Sequence, residues 1–129
     1  MKFVDASFYL ALHLPNDSNR DKAIAMHATL LGEKLVTSQA VIGEVLTVGS
    51  MRYSRDKTIA FVGILYQSVS EIYLETPEVV ATANEIFSQV ENKNIGWVDC
   101  YSLATMRHYG IKELLSFDKQ LLKLVSNFC

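Results

Sequence analysis

Residues 2–13 read Lys2-Phe3-Val4-Asp5-Ala6-Ser7-Phe8-Tyr9-Leu10-Ala11-Leu12-His13. Lys2 to Val4 predicts a short strand ending on Asp5, and Ser7 to His13 a first helix that breaks before Pro15. The same alternation continues outward. The Asn16-Asp17-Ser18 cluster predicts the start of a second helix, which runs to about Leu31 with Gly32 at its end. Lys34 to Thr37 reads as a second strand. Thr37 or Ser38 can cap the helix that follows, Gln39 to about Ser50, and a further helix occupies Arg55 to Ser68.

Ile72 and Leu74 alternate within a third strand, Glu71 to Glu75. Thr76-Pro77-Glu78 then combines a cap, a proline in the first turn and an acid at the positive end of the helix dipole. That helix lasts to about Glu91 and gives way to Asn92-Lys93-Asn94. Asp99 is expected to open a helix that Gly110 closes, and Leu114 to Phe117 a last short strand delivering Asp118. Strands of about four residues separated by helices suit a parallel sheet covered by helices on both faces. The predicted class is α/β, three layers around a short, mainly parallel sheet.

The chain has 129 residues, half of them apolar and 20% charged. That suffices for one packed domain, expected over residues 1–129, and excludes global disorder. No linker, low-complexity tract or internal repeat interrupts it. Apolar runs such as Phe8-Tyr9-Leu10-Ala11-Leu12 are far too short to span a membrane. Asp5 stands where a signal peptide needs its apolar stretch, so a cytoplasmic location is expected. Two cysteines, Cys100 and Cys129, make no disulfide framework.

Twelve Lys and Arg face fourteen Asp and Glu, a formal charge of −2. This does not exclude a nucleic-acid partner. If four acids belong to one site, ten remain against twelve bases, and the rest of the surface is mildly basic.

In open parallel sheets, ligands bind beyond the carboxyl ends of the strands. Asp5 and Asp118 end predicted strands, and Asp99 follows Gly96-Trp97-Val98 at a helix start. Each could simply cap a helix, since Asp satisfies free N–H groups there. Glu44 is more telling. Its neighbours one turn away are Ala40, Val41, Thr47 and Val48, and a carboxylate on so apolar a face needs either a buried salt bridge or a cation. Three Asp and one Glu without a partnering His or Cys form an oxygen-only set, which favours Mg²⁺ or Mn²⁺ over zinc. Four carboxylates neutralised by two such ions are the arrangement used for phosphodiester hydrolysis.

Phe3-Val4-Asp5-Ala6-Ser7, Leu35-Val36-Thr37-Ser38 with Glu44 on the next helix, Val98-Asp99-Cys100-Tyr101-Ser102-Leu103-Ala104 and Leu115-Ser116-Phe117-Asp118 together resemble the PIN domain. The resemblance covers essentially the whole chain, in order. Compact PIN proteins of this length resemble VapC-type toxins, the ribonuclease halves of toxin–antitoxin pairs. The resemblance implies a metal-dependent endoribonuclease whose acids are Asp5, Glu44, Asp99 and Asp118. It also implies a VapB-like antitoxin and a homodimer. Many members carry Asn or Thr-Asn after the first Asp, where this chain has Ala6-Ser7. The Ser7 hydroxyl can serve a neighbouring carboxylate. Ser102 shares a helix face with Asp99 and is a second hydroxyl candidate. The short segment after Asp118 implies an abbreviated last strand.

Arg52, Arg55 and Lys57 are candidates for RNA phosphates, or cations at a helix C-terminus. Tyr53 among them could stack on a base. Ile59 to Tyr66 is apolar almost all round a helix, so its outer face is expected to need a partner. His13, His27 and His108 share no ligand spacing, and Cys100 has no basic neighbour to activate it. No paired Asp-x-Asp follows the first strand, which argues against a receiver- or phosphatase-like protein. Two rivals remain: a PIN-like nuclease of RNA processing without antitoxin, and an interaction module that binds RNA or protein without cutting.

Overall fold

The computed structural model describes all residues, 1–129. Its elements are β1 (Lys2–Val4), α1 (Ala6–His13), α2 (Arg20–Thr29), β2 (Leu35–Ser38), α3 (Gln39–Arg52), α4 (Arg55–Ser68), β3 (Glu71–Tyr73), α5 (Pro77–Gln89), α6 (Trp97–Tyr109), β4 (Glu113–Leu115) and α7 (Lys119–Phe128). The four strands form one parallel sheet in the order β3-β2-β1-β4, as the predicted α/β class requires. No helix is long and apolar enough to cross a membrane.

Local chemistry explains most boundaries. Asp5, Ser38, Ser54, Thr76 and Asp118 each cap the following helix with a side-chain oxygen. Gly110 ends α6 at φ +69°, a left-handed conformation that a side chain would resist. Four expectations need correction. The second helix begins at Arg20, because Asp17 accepts the Asn19 amide at 2.8 Å and holds residues 16–19 in a turn. Gly96 caps α6, so Asp99 sits one turn inside that helix; Trp97 and Val98 are helical and no strand precedes them. Strand β4 stops at Leu115, and Ser116-Phe117 form a bend before Asp118. After Asp118 comes a helix, with no abbreviated strand.

The strand order determines where a ligand can sit. From β1 the chain moves to β2 and then β3 in one direction, and from β3 it returns past both to β4. Right-handed crossovers put the helices of the two directions on opposite faces. The two apolar clusters agree. One gathers Phe3, Phe8, Val36, Ile42, Val45, Val62 and Leu65 from the first half. The other gathers Val79, Ile86, Tyr101, Leu103 and Leu121 from α5, α6 and α7. The reversal lies between β1 and β4, whose carboxyl ends therefore flank a crevice. Val4 pairs with Leu115 at that end.

Candidate active site

Directly past that pairing, the Asp5 amide donates to the Leu115 carbonyl at 3.0 Å, bringing Asp5 against the β4–α7 bend. Asp5 is 3% exposed. Its Oδ2 accepts the Ser7 and Ser116 hydroxyls, each at 2.8 Å, and the Ser7 amide at 3.4 Å. Each hydroxyl has a single proton, so both are spent on Asp5. The serine oxygens accept in turn: Ser7 Oγ takes the Phe117 amide and Ser116 Oγ the Asp118 amide, both at 3.0 Å. The backbone of the bend is thus tied to Asp5 through two hydroxyls, and Asp5 Oδ1 is left uncommitted.

The other acids arrive from three helices. Glu44, Val48 and Arg52 stand at four-residue spacing along α3, one stripe of its surface, while Val41, Ile42 and Val45 face the core. Asp99 reaches back from the first turn of α6, its Oδ2 accepting the Gly96 amide at 2.9 Å. Asp118 Oδ1 caps α7 by accepting the Gln120 and Leu121 amides. Asp5, Ser7, Glu44, Arg52, Asp99 and Asp118 line one open cavity of about 250 Å³. Asp5 and Asp118 therefore cap helices with the same side chains that line the cavity.

Electrostatics marks the place as short of positive charge. Burial first, and then the nearby Asp5 and Asp99 carboxylates, push Glu44 up to about 7. Asp99 is pushed up to about 6, again mainly by burial, with Asp5 and Asp118 adding to it and the Gly96 amide opposing. The chain's one ion pair joins Lys2 to Glu113 on the sheet surface. The salt bridge that could have explained Glu44 is absent: Arg52 shares its cavity without pairing. The donor set is all oxygen and fits a hard divalent cation in kind. Its spacing is looser than a finished cage, since no three acids converge as one. Asp5, Asp99 and Asp118 each keep one carboxylate oxygen on protein donors and have the other to offer.

The structure does not bring every sequence candidate here. Ser102 is fully buried, its hydroxyl finds no partner, and it does not line the cavity. Arg55 faces a separate depression beside Met51 and Ile59. Lys57 lies against Tyr53, donating to its hydroxyl at 3.1 Å. His13 bonds Thr58 within the packing, and His27 and His108 are exposed elsewhere. Cys100 is buried, with its thiol pushed up by burial and by Asp99. Sequence reasoning passed over Ser116, whose hydroxyl holds Asp5, although it stands two positions before Asp118, inside a stretch that carries the family resemblance. It also passed over Trp97, whose only signal was its place two residues before Asp99.

Comparison with known proteins agrees with this fold. The 23S rRNA-specific endonuclease VapC20 of Mycobacterium tuberculosis is 29% identical over 118 residues, 92% of this chain and 89% of that protein. The crystal structure of Mycobacterium tuberculosis VapC20, described as a sarcin-ricin loop cleaving toxin, superposes with a TM-score of 0.88 at 26% identity. It covers 100% of this chain and 97% of that one. FitAcB from Neisseria gonorrhoeae shares the fold, with a TM-score of 0.71 at 18% identity over 98% and 94% of the two chains. The PIN domain family model matches residues 2–126. With four acids meeting where a parallel sheet reverses its winding, and a family model spanning nearly every residue, this chain belongs to the PIN domain family.

Proposed function

We propose that this chain is a metal-dependent endoribonuclease, one PIN-like domain over residues 1–129, acting as the toxin of a type II toxin–antitoxin pair. The observation that carries the reading is the cavity itself: four carboxylates from four separate parts of the fold, two of them with raised pKa values, and no ion pair to explain them. A domain that only bound a partner would gain nothing from holding those charges together. The relative named as a 23S rRNA-specific endonuclease supports RNA as the substrate.

Asp5, Glu44 and Asp99 would hold Mg²⁺ or Mn²⁺, and Asp118 would complete a second position. Such a cation, when bound, supplies neutralising charge at the phosphate and a lowered pKa for the attacking water. The chain's own groups do the rest. Ser7 and Ser116 fix the Asp5 carboxylate so that it need not reorganise as charge develops. Arg52, unpaired at the rim, attracts the substrate phosphate and holds it by a charge-assisted hydrogen bond. Val48 and Leu10 give the wall an apolar section, which strengthens these interactions.

Cytoplasmic action, a VapB-like antitoxin and a homodimer belong to the same proposal. The outer face of α4 supports the dimer: Val62 and Leu65 are buried, while Ile59, Ile64 and Tyr66 are at least half exposed. Sedimentation of the purified chain tests that state, and a small DNA-binding gene product encoded next to it tests the antitoxin.

Cleavage of an RNA and DNA oligonucleotide panel, with Mg²⁺, Mn²⁺ or chelator, tests the activity. Wild type should cut RNA only with a cation, and Asp99→Asn should lose a hundredfold or more while remaining folded. An undiminished Asp99→Asn rate would sink the site. A wild type that neither cuts RNA nor gains stability from either cation would sink the nuclease.

A further inference from the structure

Two further depressions adjoin the acid cavity and share its walls. On one side Arg52 also lines a hollow of about 450 Å³ formed with Tyr53 and the Leu14–Ser18 loop. On the other, Glu44 and Val48 also line a hollow walled by Trp97, Val98 and Glu75. Glu44 and Arg52 stand two turns apart on α3, about 12 Å, so the three hollows form a row along that helix with the acids between its ends. The ends of the row differ in chemistry. Arg52 offers a phosphate site. The far end presents Glu75, which repels phosphate, beside an indole.

That indole is pre-positioned. Trp97 Nε1–H donates to Asn84 Oδ1 at 2.8 Å. The ring rests against the buried Tyr101, centroids 5.1 Å apart and planes tilted by 32°. Trp97 thus has one side supported by the core and another lining its hollow, two residues from Asp99. A ring already held in place loses little freedom when something stacks on it. Nucleobases stack on such rings whatever their sequence.

We propose that Trp97 is the stacking platform for a base of the RNA strand next to the scissile phosphate, with Arg52 holding the backbone across the acids. This rests on the nuclease reading above and extends it to how the substrate is seated. Trp97 is a positioning residue: it acts on binding and alignment and takes no part in the bond exchange, the attack of water on phosphorus with departure of a ribose oxygen.

The chain's single tryptophan makes the test direct. Asp99→Asn, which should leave RNA intact, is titrated with a random-sequence single-stranded RNA of about ten nucleotides, and indole emission is followed together with the anisotropy of a label on the RNA. Steady-state cleavage is measured in parallel for Trp97→Leu and Trp97→Phe in the otherwise native chain. The expected result is saturable quenching that tracks the anisotropy. Trp97→Leu should raise KM about tenfold with kcat little changed, and Trp97→Phe should recover most of the loss. RNA that binds or is cut normally, without quenching and without a KM effect, would overturn the platform and leave the nuclease standing. RNA neither bound nor cut by wild type would remove the nuclease reading and the platform with it. If Trp97→Leu does not fold, the emission titration and the Phe variant still decide.

Discussion

Glu44→Gln should stabilise the cation-free protein, and by an amount that depends on pH. The carboxyl of Glu44 accepts no hydrogen bond and makes no ion pair, so an isosteric amide loses no contact. What it removes is a charge that the fold holds at a disadvantage. Glu44 is raised from its ordinary 4.5 to about 7, by burial first and by Asp5 and Asp99 second. A group with a raised pKa binds more protons folded than unfolded. Its ionisation therefore costs nothing well below pH 4.5, and the cost grows through the window from 4.5 to 7, reaching its full size above 7. Unscreened, a shift of that size corresponds to about 3 kcal/mol. Glu44 is only partly buried, and solvent screening reduces the figure to about 1–2 kcal/mol. For a chain of this length that is a rise in Tm of about 4–7 °C.

The assay is thermal unfolding of wild type and Glu44→Gln in chelator at pH 4.5 and pH 8. The variant should unfold distinctly higher at pH 8 and near wild type at pH 4.5. Added Mg²⁺ or Mn²⁺ should raise wild type more than the variant, because the variant has lost a ligand. A Glu44→Gln chain no more stable than wild type at pH 8, or stabilised equally at both pH values, would refute the claim that repulsion at Glu44 is uncompensated.

Ser116→Ala removes one proton from Asp5 Oδ2 and leaves the Asp118 amide without its acceptor. It should lower stability by about 1–3 kcal/mol in urea unfolding, and lower cleavage at limiting cation by about 10–100-fold. Gly49→Ala should also destabilise. Its Cβ would lie 2.7 Å from Thr58 Oγ1, and that hydroxyl is already bonded to His13 Nε2 at 2.8 Å. The α3–α4 packing must open, at a cost of about 1–3 kcal/mol, and the double variant Gly49→Ala with Thr58→Ala should recover part of it if this contact is the cause.

Elements whose ends are written in local chemistry were legible from residues alone. Helix α4 runs Arg55–Ser68 as expected, and α5 starts on the Thr76-Pro77-Glu78 signal, because a cap acts within three residues. The start of α6 was misread because Gly96 caps without a side chain, and the apolar Trp97-Val98 pair looks like the end of a strand. The four acids could be named because each stands at a strand end, at a helix start or on an apolar helix face. The rest of the site depends on tertiary neighbours. Arg52 and Arg55 are three residues apart, yet the chain turns at Tyr53-Ser54 between them, and only Arg52 reaches the acids. Ser7 and Ser116 meet only because β1 and β4 pair, a fact that no window of sequence contains.

That meeting sets an order of events during synthesis. Asp5 leaves the ribosome long before the Ser116 hydroxyl that holds it, which lies 111 positions downstream. Chains are made from the N-terminus at a finite rate, so β1, β2 and the helix bearing Glu44 emerge well before β4 does. Until β4 docks, β1 has only β2 beside it, Asp5 has only the nearby Ser7 to hold it and Asp118 has not joined the site. A nascent or truncated chain that lacks β4 therefore has not brought the four acids together, whatever else of the fold has formed.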